Sequence, residues 1–320
     1  MPPTENATLQ ARWPDLRVVV LIPCYNEEVA IPKVIADFRA ALPEARIYVF
    51  DNNSSDNTSA VARAAGAEVR RETLQGKGNV VRRAFADVDA DIYLLVDGDD
   101  TYDASAAPGM IDLLVADHLD MVNGARVTDI AAAYRPGHRL GNLVLTGLVR
   151  LVFGDRISDM LSGYRVFSRR FVKSFPSLAS GFETETEFTV HALDLKMPVG
   201  EVTTRYKDRP VGSVSKLRTY SDGLRILHTI VVLVKDERPL QFFASVALVL
   251  GILGLGVGAR VVLDYIETGL IPRLPSAILA SAFEILAFLS LASGLILDSV
   301  ARGRKEVKRL AYLAIPGVGA

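Results

Sequence analysis

The chain has very little cysteine and histidine. Its 320 residues contain one cysteine, Cys24, so an internal disulfide bond is excluded. The four histidines, His118, His138, His191 and His228, are scattered and lack the spacing of a structural zinc site. The absence of disulfides is typical of a reducing compartment, where we expect the soluble part of the chain to reside.

The sequence also lacks a surplus of basic charge. It has 36 lysines and arginines against 37 aspartates and glutamates. Proteins that bind nucleic acids usually carry a basic surplus, so we predict no nucleic-acid partner. The first residues, MPPTENATLQARWPDLR, have Pro, Glu and Asp where a signal peptide has a basic and then an apolar run. We expect residues 1–16 to form a short mobile tail.

From Arg17 to about Val122, short β-branched runs alternate with stretches of helical periodicity. This order predicts β-α-β units on a mostly parallel sheet, and therefore an α/β fold. In such sheets, ligands bind at the carboxyl ends of the strands, where this chain places its polar clusters. The predicted strands are Arg17–Ile22, Arg46–Phe50, Glu68–Arg71, Ile92–Val96 and Met121–Asn123, and the predicted helices lie around Ala30–Ala41, Thr58–Ala65, Asn79–Val88 and Ala107–Asp117.

The first of these polar clusters to consider is Asp97-Gly98-Asp99, directly after an apolar strand. Carboxylate oxygens are ligands for hard cations such as Mg²⁺ and Mn²⁺, which usually share their remaining positions with substrate phosphates. The pattern therefore indicates a divalent-cation and diphosphate site, and the alternative is an acidic turn that caps the next helix. An EF-hand loop is excluded because its sixth position would be Tyr102 instead of glycine.

Two further clusters are candidates for contacts with a nucleotide. Asp51 ends the second strand and can accept a hydrogen bond from a nucleobase N–H group, with assistance from Asn53. The alternative is an Asx turn and helix cap formed with residues 54–56. The run Gly76-Lys77-Gly78 lacks the GxxxxGK[ST] spacing of a P-loop, so we interpret it as a glycine-rich loop with Lys77 near the diphosphate.

The second half of the chain is dominated by two apolar runs. Gln241–Ala259 has no charged residue and Leu274–Leu297 has only Glu284, and each run is long enough to cross a hydrocarbon core of about 30 Å. Basic residues in 301–320 follow the second run, so the positive-inside rule predicts a cytoplasmic location for both ends of this hairpin. Residues 218–238 have an amphipathic pattern that suits a helix in the membrane interface or, alternatively, one packed on the first domain.

Three motifs in order, VVVLIPCYNEE, VFDNNSSDNT and LLVDGDDTYD, resemble those of the family 2 glycosyltransferases of GT-A fold. Further along, SDMLSGYRVFSRR and residues 209–217 resemble the polyprenyl-phosphate branch, which includes dolichyl-phosphate mannose synthase and undecaprenyl-phosphate glucosyltransferases. The resemblance implies a cytoplasmic GT-A catalytic domain at 17–217, with a Rossmann-like, mostly parallel sheet and helices on both faces. Residues 239–300 are similar to the transmembrane hairpin of some members, and a cytoplasmic basic tail, 301–320, would follow.

The resemblance also implies the residues of the site. Asp97 and Asp99 would hold Mg²⁺ or Mn²⁺, and Thr101 stands where some members have a glutamine ligand. Asp159 matches a position proposed as a catalytic base, although it is equally suited to orient Arg165 or the acceptor. The implied donor contacts are Pro23, Tyr25, Asn26, Glu27 and Asp51, to which the residue pattern described above adds Asn53, Lys77, Asp97 and Gly98. The implied acceptor-phosphate contacts are Arg126, Arg139, Arg209, Ser215 and Lys216.

The implied reaction is an inverting transfer of a sugar from a UDP- or GDP-linked donor to a polyprenyl phosphate at the cytoplasmic membrane face. A phosphate monoester has a second pKa near about 6, so the acceptor hardly requires a strong protein base. Among the alternating acids Glu183, Glu185 and Glu187, we expect one to face the sugar and the others to begin the following helix. The alternatives are a processive polysaccharide synthase, which would need a QxxRW element and more helices, and a catalytically silent nucleotide-binding membrane scaffold. The sequence leaves a homo-oligomer open.

Overall fold

The computed structural model describes residues 12–127, 157–181, 183–209 and 231–319, together with residues 147, 227 and 228. These residues divide into two compact units. One unit contains the described residues up to Leu227 and those from Lys308 onwards, and the other contains His228–Val307.

The first unit is built on a seven-stranded sheet in the order β3-β2-β1-β4-β6-β5-β7. Strand β6 runs antiparallel to its neighbours β4 and β5, whereas the remaining pairs are parallel. The mostly parallel sheet predicted from the sequence is therefore confirmed. The strands are β1 (Val18–Cys24), β2 (Arg46–Asp51), β3 (Glu68–Arg71), β4 (Ile92–Leu95), β5 (Met121–Val127), β6 (Arg165–Ser168) and β7 (Val199–Arg205).

Helices cover both faces of this sheet. Successive side chains of a strand point to opposite faces, and in β1 Val20 and Ile22 belong to one core cluster while Val19 and Leu21 belong to the other. Apolar residues of α1, α2 and α4 complete the first cluster, and those of α3, α5 and α6 complete the second. The helices of this unit are α1 (Ile31–Ala41), α2 (Thr58–Ala64), α3 (Lys77–Asp87), α4 (Ala107–Ala116), α5 (Arg169–Ser174) and α6 (Thr184–Asp194).

The five predicted strands and four predicted helices all form, with ends shifted by a few residues. Strands β6 and β7 were not predicted. In β6 only two apolar residues stand between Arg165 and Ser168, and β7 has the sequence VGEVTTR, in which only two of seven residues are large and apolar. At the N-terminus, Trp13 and Leu16 pack against the first core cluster. Residues 13–16 of the expected mobile tail therefore belong to the packed domain, and residues 1–11 lie outside the described residues.

The second unit contains α7 (Pro239–Thr268) and most of α8 (Leu274–Leu313), which are both long and apolar enough to cross a membrane by length and composition. Both helices carry many exposed large apolar side chains, unlike the core helices of a soluble protein. The buried positions of α8 are small residues at seven-residue spacing, which let neighbouring helices approach closely: Ala280, Ala287, Gly294 and Ala301.

The described residues on either side of the hairpin are also helical. Residues 231–237 form a helix, while 210–226, 229 and 230, and with them about half of the predicted amphipathic segment 218–238, lie outside the described residues. Helix α8 continues to Leu313, so the beginning of the predicted basic tail is helical. Within the first unit, the Tyr312 hydroxyl donates a hydrogen bond to the buried Asp120 over 2.8 Å. This bond fastens the end of α8 to the residue that precedes β5.

Candidate active site at the carboxyl ends of the strands

The turn after β4 brings Asp97 and Asp99 to the carboxyl edge of the sheet. The Asp97 side chain is 30% exposed, whereas Asp99 is almost buried and lies 2.6 Å from an Arg209 guanidinium nitrogen. A Cβ atom at Gly98 would come within 2.6 Å of the Cys24 sulfur, so a glycine allows this turn to pass close to β1. Burial, together with the charge of Asp97, raises the pKa of Asp99. Two carboxylates that repel each other in this way suit a bound cation.

The acidic-turn alternative does not describe this motif. The 3₁₀ turn Ala104–Ala106, which leads into α4, is capped by Asp103, whose carboxylate accepts a hydrogen bond from the Ser105 N–H group over 3.0 Å. Asp99 instead accepts a hydrogen bond from the Thr101 hydroxyl over 2.6 Å. Thr101, at the position of the implied third ligand, therefore orients the carboxylate of Asp99.

The residues present fit a hard divalent cation that is shared with a substrate. No group of three or more His, Cys, Asp or Glu side chains suited to a metal ion occurs within the described parts of the chain. Asp97 and Asp99 would supply two oxygen ligands. Magnesium-type cations commonly bind one or two carboxylates and complete their coordination with phosphate oxygens and water.

Lys77, the first residue of α3, lies beside this motif. Its ammonium group contacts an oxygen of Asp97 and lies 2.5 Å from an oxygen of Glu185, and its side chain is 8% exposed. The preceding Gly76 has φ 129°, a conformation that favours glycine. The predicted position of Lys77 next to the diphosphate motif is consistent with this geometry.

The predicted nucleoside-binding residues lie at the ends of β1 and β2. Asp51 accepts hydrogen bonds from the Ser54 N–H group over 2.9 Å and the Ser59 hydroxyl over 2.5 Å, so it does form a local turn and holds α2. A carboxylate has about four lone-pair sites, which leaves acceptor capacity for a base. Asn26 and Asn53 have φ 54° and 61°, in the left-handed region that asparagine tolerates.

These nucleoside-site residues are held by the neighbouring loops. The Asn26 N–H group donates to the Ser54 hydroxyl over 2.9 Å, and the Asn53 side chain donates to the Thr73 carbonyl over 2.6 Å. Glu27 is buried and Tyr25 is 38% exposed, while Pro23 lies within β1. The tyrosine ring is thus open to a ligand at this edge of the sheet.

Arg126 and Asp159 form the predicted acceptor region. Arg126 Nε donates to one Asp159 oxygen over 2.7 Å, and a terminal nitrogen donates to the other over 2.9 Å. Burial opposes ionisation of Asp159, but the hydrogen bonds and charge of Arg126 outweigh it and lower the pKa of this carboxyl group. The Arg126 guanidinium also lies 5.6 Å from the centre of the Tyr206 ring.

Asp159 forms no hydrogen bond or ion pair with Arg165, both of which the structure describes. The buried Arg165 guanidinium donates to the carbonyls of Met160 and Ser162 over 2.7 and 3.0 Å, and to the Thr189 hydroxyl over 3.0 Å. Asp159 therefore orients Arg126, and Arg165 is a structural residue of the core. Arg209 pairs with Asp99, while Arg139, Ser215 and Lys216 lie outside the described residues.

Comparison with known proteins identifies the family of this chain. The model of the family described as Glycosyl transferase family 2 matches residues 19–175. Glycosyltransferase AglJ of Haloferax volcanii is 34% identical over 255 residues, which cover 78% of this chain and 82% of AglJ. The chain belongs to glycosyl transferase family 2.

Two further similarities place this family 2 glycosyltransferase among known proteins. The dolichyl-phosphate hexose transferase of Haloferax volcanii is 28% identical over 221 residues, which cover 69% of this chain and 95% of that protein. The structure of glucosyl-3-phosphoglycerate synthase from Mycobacterium tuberculosis with Mn²⁺ and UDP-glucose matches with a TM-score of 0.54 and 22% identity, over 69% of this chain and 79% of that one. At this identity, the match shows a shared fold.

Several residues around the site of this family 2 glycosyltransferase were not predicted. Asn52 donates to the carbonyls of Glu72 and Leu74 and accepts from the Gly76 N–H group over 2.6 Å, which fixes the loop before α3. Gly163 has no room for a Cβ atom, which would come within 2.5 Å of an Asp97 oxygen. Both residues lie next to or within recognised motifs, since Asn52 directly follows Asp51 and Gly163 belongs to the SDMLSGYR motif. This proximity could have identified them from the sequence.

Proposed function

We propose that this family 2 glycosyltransferase transfers a sugar, with inversion, from a UDP- or GDP-linked donor to a polyprenyl phosphate at the cytoplasmic face of a membrane. The observation that carries the proposal is the charge pattern at one edge of the sheet. Asp97 and Asp99 form a site for Mg²⁺ or Mn²⁺, and each carboxylate is contacted by a cationic side chain, Lys77 or Arg209, that can bind phosphate oxygens.

The donor would bind across the carboxyl ends of β1, β2 and β4. In this arrangement Asp51 and Asn53 bind the nucleoside, and Lys77 binds the diphosphate. The resemblance implies an acceptor-phosphate contact for Arg209, but its pairing with Asp99 leads us to assign it to the diphosphate. A bound divalent cation supplies positive charge that stabilises the leaving diphosphate. A structure of the same fold, that of the synthase, contains Mn²⁺ and UDP-glucose, which supports a donor of this chemical class for the fold.

The acceptor phosphate would bind at Arg126. Arginine binds phosphate oxygens bidentately, and Asp159 holds this guanidinium in a fixed orientation. Residues 206 and 207 connect the acceptor part of the site to the donor part. The Lys207 N–H group donates to the Thr101 carbonyl over 2.7 Å, and the Tyr206 ring lies against the Arg126 guanidinium. A phosphate dianion is itself a nucleophile above its second pKa of about 6, so Asp159 acts in our proposal as a positioning residue.

A membrane-bound lipid acceptor is supported by two observations. Helices α7 and α8 are long and apolar enough to span a membrane, and a relative is named for the transfer of a hexose to dolichyl phosphate. Basic residues after the second span, including Arg302, Arg304 and Lys305, favour a cytoplasmic catalytic domain by the positive-inside rule.

The test is turnover by the full chain purified in detergent. UDP-glucose, UDP-N-acetylglucosamine and GDP-mannose are each supplied with and without undecaprenyl phosphate, in the presence of Mn²⁺, Mg²⁺ or EDTA. We expect a lipid-linked monosaccharide with one donor, and only with a divalent cation. A polymeric product would instead indicate a processive synthase, and nucleotide binding without turnover would indicate a scaffold.

The metal site is tested with matched variants. Asp97→Asn combined with Asp99→Asn should abolish turnover. Asp103→Asn makes the same chemical change four residues beyond Asp99, at a helix cap that asparagine fills as well as aspartate, so it should retain activity. Unchanged turnover in the double variant would refute the proposed role of the two carboxylates.

A further inference from the structure

Glu185 is one of the three alternating acids of which one is expected to face the sugar, and it is a buried carboxylate without a role in the site described above. It lies in the first turn of α6, between two other glutamates that bind the loop before the helix. Glu183 accepts a hydrogen bond from the Gly181 N–H group over 3.1 Å, and Glu187 accepts one from Ala179 over 2.9 Å. Glu185 instead extends to Lys77, 2.5 Å away, with its side chain only 5% exposed. Its environment therefore differs from that of its two neighbours.

The Lys77 ammonium group is shared between Glu185 and Asp97. An ammonium group has three N–H donors, and these two carboxylates account for two of them. The third can donate to an oxygen of a bound diphosphate. Lys77 thus connects Glu185 to the cation-binding carboxylate and, in the proposed complex, to the donor.

Close packing restricts the position of Lys77. A Cβ atom at Gly163 would lie 2.9 Å from the Lys77 ammonium nitrogen and 2.5 Å from an Asp97 oxygen. A Cβ atom at Gly78 would lie 2.6 Å from the Thr184 hydroxyl, so the first turns of α3 and α6 meet without an intervening side chain. Lys77 therefore has little space in which to change partners.

We infer that Glu185 is a positioning residue that divides the positive charge of Lys77 between two carboxylates and so preserves the affinity of Asp97 for the divalent cation. This inference rests on the proposed function. Without the charge of Glu185, Lys77 is attracted to Asp97 alone and competes with the cation for that carboxylate.

The principal experiment compares Glu185→Gln with Glu187→Gln in the full chain. Both positions are buried and lie two residues apart in the same helix, but Glu187 binds Ala179 instead of Lys77. Mn²⁺ binding is measured by electron paramagnetic resonance, alone and with UDP or GDP. Outer-shell substitutions typically weaken metal binding about 10- to 100-fold, which we expect for Glu185→Gln. Glu187→Gln should bind Mn²⁺ as the wild type does.

Steady-state kinetics and a double variant distinguish other roles of Glu185. We expect Glu185→Gln to raise the donor KM more than it lowers kcat. In a Lys77→Gln background, Glu185→Gln should cause little further loss of Mn²⁺ affinity, because the effects of substitutions at residues that act through each other do not add. The double variant also leaves no unpaired charge at this contact, so it tests the coupling if either single variant folds poorly.

Three results would overturn the inference. A large loss of kcat with unchanged Mn²⁺ affinity and donor KM would mean that Glu185 acts on the reacting atoms. Equal Mn²⁺ affinity in the wild type and Glu185→Gln would mean that it has no positioning role. Absence of both Mn²⁺-dependent nucleotide binding and turnover in the wild type would refute the proposed function itself, and the inference with it.

Discussion

Replacing Asp159 with asparagine should loosen Arg126 without removing a catalytic base. Asp159 accepts two side-chain hydrogen bonds from Arg126, one on each oxygen, and a third from the Arg126 backbone over 3.2 Å. Asparagine retains one acceptor oxygen but presents an N–H₂ group to the guanidinium at the other position. The variant therefore loses the charge of the pair and one good hydrogen bond.

The loss of stability in Asp159→Asn depends on how far the pair is buried. The Arg126 and Asp159 side chains are 20% and 11% exposed, so solvent replaces the lost contact only in part. A hydrogen bond to a charged group contributes about 1.5–3 kcal/mol, and breaking a buried pair costs about 3–5 kcal/mol. With one acceptor retained, we expect the free energy of unfolding to fall by about 2–4 kcal/mol.

The kinetic assay separates positioning from base catalysis. A misplaced Arg126 that loses about 1.4–2.8 kcal/mol of acceptor binding raises the acceptor KM about 10- to 100-fold. A lost general base would instead lower kcat by about 10²- to 10⁴-fold. A fall of that size in kcat at unchanged acceptor KM would refute our reasoning. Glu201→Gln is the control, because Glu201 binds Ser158 and Asn123 in the same region and should leave the acceptor KM unchanged.

The pH profile provides a second criterion. The folded-state pKa of Asp159 is lowered, so the stability contributed by its charge is fully present above the ordinary carboxyl pKa of about 3.9. That contribution is lost only as the pH falls further, through the folded-state value. A decrease in kcat/KM for the acceptor below about pH 6 would therefore report protonation of the acceptor phosphate. The same decrease should persist in Asp159→Asn.

Three further substitutions test other contacts. Thr101→Val removes the hydroxyl that orients Asp99, so Mn²⁺ affinity measured by calorimetry should fall about tenfold. Gly163→Ala places a methyl group against Asp97 and Lys77, so turnover should fall at least about 100-fold. Burial, aided by the charge of Lys308, lowers the pKa of His191 to about 3. Stability should thus be full above the unfolded pKa of about 6.5 and should fall by about 2 kcal/mol between pH 7 and pH 5 in denaturation experiments. His191→Phe should remove that decrease.

Each substitution has a control. Thr101→Ser keeps the hydroxyl and should keep the affinity; an equal loss in both Thr101 variants would contradict the orienting role. Gly109→Ala meets no atom within 4 Å and should stabilise α4 by up to about 1 kcal/mol, whereas full activity in Gly163→Ala would contradict the close packing. For His191, the control is the wild type, measured over the same pH range as His191→Phe. The same pH dependence in His191→Phe would contradict a contribution from His191.

The parts of the fold that follow local periodicity were predictable. Strands such as β1 and β4 are unbroken apolar runs, and helices such as α1 repeat apolar residues at helical spacing. Strand β6 was not predictable, because it contains a buried arginine. Arg165 forms its hydrogen bonds with Met160, Ser162 and Thr189. A buried arginine with such partners is acceptable in a core, but no local pattern reveals those partners.

The sequence by itself determined the positions of Asp97, Asp99 and Asp51 at strand ends, because strand periodicity and the following turn residues are local properties of the chain. Only the tertiary structure decided the partners of the charged groups. Lys77 contacts Glu185, and Arg126 is held by Asp159, through packing between segments far apart in the sequence. The energy of an ion pair depends on distance and on burial, and both are set by the packed structure.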